Sequence, residues 1–162
     1  MRNLSKCRTW LVAAAVLALA GCATRQGPVS VADILSSNTE LSALNSLVIK
    51  AGLVETLKQT GPYTVFAPTN AAFAKVPAKT MSELGSDPAR LKAVLSYHVI
   101  PSKLSAAEVK NANVKTVNGA NVALSKSGEF VTVEDAIVEK SDMAATNGVV
   151  HIIDGVLIPP AK

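Results

Sequence analysis

Tyr63–Phe73 reads YTVFAPTNAAF, an apolar, β-favouring run that stops at a proline and passes through Thr69-Asn70 into small helix formers. Tyr, Thr, Val and Phe suit a pleated, half-buried strand, and Pro68 has no backbone N–H with which to continue one. Thr69 or Asn70 then stands where a helix needs an N-cap, its side-chain oxygen accepting a free N–H of the first turn. The same strand-to-helix corner can mount a hydrolase nucleophile, but that use needs a Gly-x-Ser-x-Gly elbow whose glycines let the turn expose an oxygen. No glycine lies between Tyr63 and Phe73. Thr69 is therefore assigned to capping, and the stretch to a core strand joined to a capped helix.

Outward from this corner, the first half of the chain reads as short amphipathic helices with explicit start signals. Ser30-Val31-Ala32-Asp33 has the capping-box pattern, and Thr80-Met81-Ser82-Glu83 and Ser105-Ala106-Ala107-Glu108 repeat it. Leu41, Leu44 and Val48 share one helical face that Gly52 is placed to end. Asp87-Pro88 opens another helix, with Leu91, Val94 and Leu95 on its apolar face. The second half changes period. Asn118-Gly119 separates VKTV from ANVALS as a two-residue hairpin signal, Ser127-Gly128 turns the chain before EFVTVE, and Asn147-Gly148 precedes VVHIIDGVLIPP. In that last run Asp154-Gly155 reads as a turn or bulge, and Pro159-Pro160 stops it. Helices first and antiparallel strands later indicate an α+β domain.

The first residues belong to no domain. Arg2, Lys6 and Arg8 precede the apolar run Trp10–Ala20, whose 11 residues are too few for a spanning helix of about 20 and suit an export signal. Leu19-Ala20-Gly21-Cys22 resembles the lipobox of bacterial lipoproteins, which implies removal of residues 1–21 and acylation of Cys22 as the new N-terminus. Residues 22–29 then form a polar tether, able to reach roughly 20–25 Å at full extension, and residues 30–162 a single domain. Two or more acyl chains hold a protein stably at a membrane, since each buried methylene contributes about 0.8 kcal/mol. With Ala23 after the cysteine, in place of the aspartate that resembles an inner-membrane retention signal, the outer membrane is expected in a host with two membranes.

Cleavage changes the charge and the sulfur count. The leader takes three of the 16 basic residues and none of the 12 acidic ones, leaving 13 against 12. A clustered basic face for nucleic acid is not expected. Cys7 leaves with the leader and Cys22 carries lipid, so no disulfide or thiol chemistry is expected of the domain.

Three segments in order resemble the signatures of the fasciclin domain: YTVFAPTNAAF, SYHVIP at Ser96–Pro101, and NGVVHIIDGVLIPP at Asn147–Pro160. The resemblance implies a compact α+β fold, short N-terminal helices packed on a twisted antiparallel β-wedge, serving adhesion or extracellular interaction without catalysis. It also implies a role for Tyr97 and His98, because the Tyr-His pair of animal relatives has been linked to integrin recognition. Helical spacing points elsewhere: His98 lies seven, four and three positions after Leu91, Val94 and Leu95, at the end of the buried face. Tyr97-His98 is thus either a partner-binding pair or, for His98, an interior histidine with its nitrogens hydrogen-bonded.

His151 alternates with Val149 and Ile153, and Asp154 falls on the other side of that strand, so the two do not form a catalytic dyad by strand geometry. Two histidines without carboxylate or cysteine at ligand spacing make no zinc site, and phosphate or dinucleotide motifs are lacking. No metal and no cofactor are expected. The function expected is a non-catalytic binding or adhesion module, lipid-anchored outside the cytoplasm, with a protein or polysaccharide partner in the envelope or matrix. The competing reading is a small envelope hydrolase using His98 or His151.

Overall fold

The strand and helix expected on either side of Thr69 are both present in the computed structural model, which describes residues 29–160. The leader, Cys22 and the tether up to residue 28 lie outside the described residues. The run itself is β1 (Tyr63–Pro68), followed by α4 (Asn70–Lys75), with Thr69 Oγ1 accepting the Ala72 N–H at 3.2 Å. Asn70 fastens this corner to its neighbours. Its side-chain oxygen accepts the Ala43 N–H at 2.9 Å and its nitrogen donates to the Thr39 carbonyl at 2.9 Å. That ties the corner to α2 (Ser42–Lys50) and to the 3-10 turn before it, Thr39–Leu41.

The remaining helices are α1 (Val31–Ser37), α3 (Val54–Lys58), α5 (Ala78–Ser86) and α6 (Pro88–Tyr97). The box at Ser30 is complete, with Ser30 Oγ accepting the Asp33 N–H at 3.3 Å and the Asp33 carboxylate accepting the Ser30 N–H at 2.9 Å. Gly52 turns the chain after α2 at φ +67°, and Asp87 caps α6 with Pro88 in its first turn. The other two boxes differ. Pro77, with its preset φ, starts α5 upstream of Thr80, which lies inside the helix and caps nothing. At Ser105 the carboxylate of Glu108 does reach back, to the N–H at 3.0 Å and the hydroxyl at 2.9 Å. The result is a single turn, because polar Lys110-Asn111 follows and the chain enters β3 (Ala112–Lys115).

With β2 (Val99–Ile100), β4 (Asn121–Ser127), β5 (Phe130–Val133), β6 (Ala136–Ala145) and β7 (Gly148–Ile153), the strands make one sheet ordered β2-β1-β7-β6-β5-β4-β3. Every pair is antiparallel except β1 and β7, which run parallel from Tyr63↔Gly148 to Pro68↔Ile153. The α+β wedge is therefore as expected, with one parallel pair, second and third from the β2 edge. Chain order explains it: the last strand returns across the whole intervening segment, and a parallel neighbour needs such a long crossover.

Three local readings are corrected. The β3–β4 connection is a three-residue loop, Val117–Gly119, closed by the Thr116 N–H donating to the Ala120 carbonyl at 2.9 Å. Gly119 alone adopts positive φ, +90°, where a two-residue turn would need it at Asn118 too. The extra length lets Val117 donate to the Val99 carbonyl at 2.8 Å and Asn118 to the Ser96 carbonyl at 3.2 Å, so the loop of the far edge returns to β2 and nearly closes the sheet. Next, the closing β run ends at Ile153, and Asp154 terminates it by accepting the Ile137 N–H at 2.8 Å while donating to the Ile137 carbonyl at 3.0 Å. Finally, β6 was not expected. Its charged, mostly exposed residues lack alternation because the register shifts between Val138 and Lys140 and again before Met143, with Asp142 at φ +58°.

β1 and β7 are covered on both faces. Val65, Ala67, Val150 and Ile152 meet Leu35, Leu44, Leu91 and Leu95 of the helices. Phe66 and Ile153 meet Val122, Leu124, Val131 and Val133 of the wedge. All six residues of β7 are buried. Asn147, just before it, accepts the Val31 N–H at 2.9 Å and donates to the Leu57 carbonyl at 2.6 Å and the Gln59 carbonyl at 3.0 Å, tying the strand to α1 and α3.

Gly148 separates close approach from backbone conformation. A Cβ there would run into the Tyr63 carbonyl of β1, whereas at Gly119 nothing lies within 4 Å and only the positive φ opposes a side chain. Gly119→Ala should cost about 1–2 kcal/mol, and Gly148→Ala at least about 3 kcal/mol, since it parts the parallel β1–β7 pair. Denaturant melts of the two variants beside the parent measure the difference, and equal losses would contradict the packing described.

Candidate functional site

Helix α6 delivers Tyr97 and His98 to the middle of the fold. Asp87 starts it by accepting the Ala89 and Arg90 N–H groups at 2.9 and 3.2 Å, and ten residues later Tyr97 and His98 point into different interiors. Each is 2% exposed. His98 Nε2 accepts the Leu157 N–H at 3.0 Å, which requires a lone pair there and places the proton on Nδ1. Nδ1 donates to the Val94 carbonyl at 2.8 Å. The His98 carbonyl in turn accepts the Phe66 N–H at 2.9 Å. One residue thus joins α6, β1 and the C-terminal segment. Burial disfavours the imidazolium and pulls the pKa down to about 4, outweighing the bond to Val94, which acts the other way.

Tyr97 packs with the wedge residues, its hydroxyl 2.9 Å from the Asn121 carbonyl and 3.0 Å from Glu134 Oε1. The same carboxylate oxygen accepts the Ala123 N–H at 2.9 Å, and Glu134 adopts φ +54° to present it. Burial, and then the Glu134 carboxylate, raise the phenol pKa to about 12. In this fold neither side chain of the pair is open to a partner.

His151 is equally committed. It stacks on Phe66 with ring centroids 5.6 Å apart, Nε2 donates to the Leu104 carbonyl at 2.8 Å, and Nδ1 accepts the Asp142 N–H at 3.2 Å. Asp142 also accepts the Ala106 N–H at 2.8 Å, so the ring and the carboxylate together hold the 101–108 loop against the β6 bulge. All four ring nitrogens of the two histidines are taken by backbone groups. The Thr69 hydroxyl stays with its cap. Among the described residues no three His, Cys, Asp or Glu side chains converge where they could hold a metal.

Sequence reasoning missed three polar residues that organise this region: Thr64, Glu134 and Asn147. Thr64 is buried within β1, donates to the Ser102 carbonyl at 2.6 Å and accepts the Leu104 N–H at 2.9 Å. A hydroxyl inside an otherwise apolar strand was the available signal. Two concavities flank the pair. A cavity of about 90 Å³ lies on the His98 side, walled by Leu35, Leu44, Val48, Val65 and Leu95. A more open groove of about 530 Å³ lies outside α6, lined by Arg90, Ala93, Asn118, Ile158 and Pro159.

Residues 39–159 match the Fasciclin domain family. The chain belongs to the fasciclin domain family. It is 40% identical over 141 residues to the immunogenic protein MPB70 of Mycobacterium bovis, an alignment covering 84% of this chain and 71% of the relative. Protein sll1483 of Synechocystis sp. is 38% identical over 140 residues, covering 85% and 78%. The transforming growth factor-beta-induced protein ig-h3 of Sus scrofa is also 38% identical, over 134 residues that are 82% of this chain but 20% of that protein. Among solved structures, a FAS1 domain pair from the insect cell adhesion molecule Fasciclin I superposes with a TM-score of 0.63 at 25% identity, covering 78% of this chain. This chain spans about half of that pair, 47% of its length. The fasciclin fold expected from the three signatures is the fold found.

The buried, neutral His98 makes stability depend on pH with a definite sign. Its folded pKa of about 4 lies below the ordinary value of 6.5, so the unfolded chain takes up the proton first. The contribution is complete above pH 6.5 and is lost as pH falls towards 4, by about 3 kcal/mol in all. His98→Ala should cost on the order of 1–3 kcal/mol at neutral pH, and His98→Gln should flatten the slope between pH 6.5 and 4. Urea melts across that range check both; a parent curve that rises on acidification would contradict the buried neutral ring.

Proposed function

We propose that this fasciclin-domain chain is a non-catalytic binding module, held outside the cytoplasm by a lipid on Cys22, whose partner is a protein or polysaccharide of the envelope or the surrounding matrix. The observation that carries the non-catalytic part is the commitment of both imidazoles. A general base must offer a nitrogen to a reacting proton, and His98 and His151 offer all four to backbone groups. The hydrolase reading therefore has no base. Family membership supports binding, since the solved relative is described as a cell adhesion molecule.

The burial of Tyr97 and His98 changes how such a pair contributes. It acts from inside, fixing α6 against β1 and the C-terminal segment, and so shapes the groove of Arg90, Ala93, Asn118, Ile158 and Pro159 on the outer face. Partner contact falls on that face. The anchor rests on the basic leader, the short apolar run and LAGC, and the tether of 22–29 keeps the domain near its bilayer, which favours partners close to the membrane. In a host with two membranes Ala23 favours the outer one. Nucleic acid is not a partner of this reading, because the mature charge is close to balanced.

Mass spectrometry of membrane-extracted protein should find an acylated cysteine at position 22 as the N-terminus, and Cys22→Ser should abolish both lipid and membrane retention. A Cys22→Ser form that remains lipidated and membrane-bound contradicts the anchor. For the binding face, cross-linked capture from envelope with the full chain as bait should lose its partner in Ala93→Glu and Ile158→Glu. Capture should persist in Phe130→Glu, exposed beside the β4–β5 turn and not among the groove's lining residues. Loss only in Phe130→Glu would move the contact away from α6.

A further inference from the structure

The cavity beside His98 takes no part in the proposed partner contact, and its chemistry is distinct. We infer that it is a binding site for the end of a neutral alkyl chain. Its walls are Leu35, Leu44, Val48, Leu57, Val65 and Leu95, with no Lys, Arg, Asp or Glu among the lining residues. His98 contributes only ring carbon, because both nitrogens are occupied. Water inside needs two to four polar partners, and the walls are almost wholly apolar, so the interior disfavours water. The lining residues that reach solvent are Thr56, exposed, Val117, 47% exposed, and the half-buried Tyr63 and Ser96. These frame the mouth.

Size and rim chemistry narrow the ligand. An apolar cavity of about 150 Å³ accepts benzene; at about 90 Å³ this one is too small for a ring and holds about three groups of roughly 30 Å³. A linear chain end fits where an aromatic does not, and the rest of the ligand extends through the mouth. At the rim, the hydroxyls of Thr56, Tyr63 and Ser96 make no hydrogen bond among the described residues, leaving donors and acceptors for an uncharged head such as a hydroxyl or amide. The absence of a lining cation disfavours a carboxylate head. The walls come from α1, α2, α3, β1 and the end of α6, whose wall residues all belong to one buried core cluster, with α1 capped by Ser30 and α6 by Asp87, so the site is preformed. The inference is independent of acylation at Cys22.

The test uses the full chain carrying Cys22→Ser, so that no attached acyl chain competes, and a series of linear 1-alcohols from ethanol to octanol followed by methyl NMR. Saturable shifts are expected at Leu44, Val48, Val65 and Leu95. The dissociation constant should fall about fourfold per added methylene and level off after about three carbons, when the cavity is full. Val48→Leu, which takes up about one methylene of the cavity, should weaken butanol binding about fourfold; Val65→Ile does the same from the strand side and gives the same readout should Val48→Leu not fold. Affinity that climbs without levelling through octanol, or shifts centred on Phe130 and Ile137, means adsorption to exposed apolar surface and overturns the site. So does unchanged butanol binding in a folded filling variant, or no saturable shift at all.

Discussion

The parallel pairing of β1 with β7 is the constraint on which the rest of this fold depends. It brings residues 63–68 and 148–153 side by side over six registered positions, and both of its faces are covered, by helices on one side and by the wedge on the other. Fully burying a Val, Ile or Phe side chain contributes about 1.5–3 kcal/mol. Six such residues here, Val65, Phe66, Val149, Val150, Ile152 and Ile153, therefore contribute roughly 9–18 kcal/mol, as much as the whole 5–15 kcal/mol by which a domain is typically stable. A one-residue slip would exchange their faces and misplace all of them. Exposed ion pairs such as Lys140–Glu40 at 2.7 Å contribute at most about 1 kcal/mol each and decide nothing comparable.

Around this spine, buried polar side chains do what tight turns cannot. Thr64, His98, His151 and Asn147 each satisfy backbone groups of segments distant in sequence: the 101–108 loop, the C-terminal segment, the β6 bulge, and helices α1 and α3. No buried side-chain nitrogen or oxygen among the described residues lacks a partner. That completeness matters, because an orphaned buried donor costs about 1–3 kcal/mol. It also gives the buried Tyr97 and His98 a structural part, holding α6 against the wedge and the C-terminal segment.

Much of this was legible in the sequence where the signal is local. YTVFAPTNAAF gave strand, stop and cap correctly because proline chemistry and N-capping operate within a few residues, and the spacing of His98 from Leu91, Val94 and Leu95 placed it on an interior face. Signals that depend on distant partners were not legible. The Val117–Gly119 loop is longer than Asn118-Gly119 suggests because its N–H groups bond β2 and the end of α6, some twenty residues away in sequence. Strand β6 has no alternation to read, since its bulge is organised by His151 from the neighbouring strand. Thr80-Glu83 has the composition of a cap, yet Pro77 had already begun the helix. Of the candidate site, the histidines were identifiable; the cavity next to His98 was not, because its walls come from segments that periodicity assigns only to a common core.

If β1 and β7 form the spine, their amides are the last to open. Native-state hydrogen exchange in increasing denaturant tests this directly. Amides hydrogen-bonded between β1 and β7 should exchange only through global unfolding, while those of α5 and the β3–β4 hairpin exchange through smaller openings. Exchange of the β1–β7 amides through an opening less costly than global unfolding, with the hairpin still protected, would contradict the account.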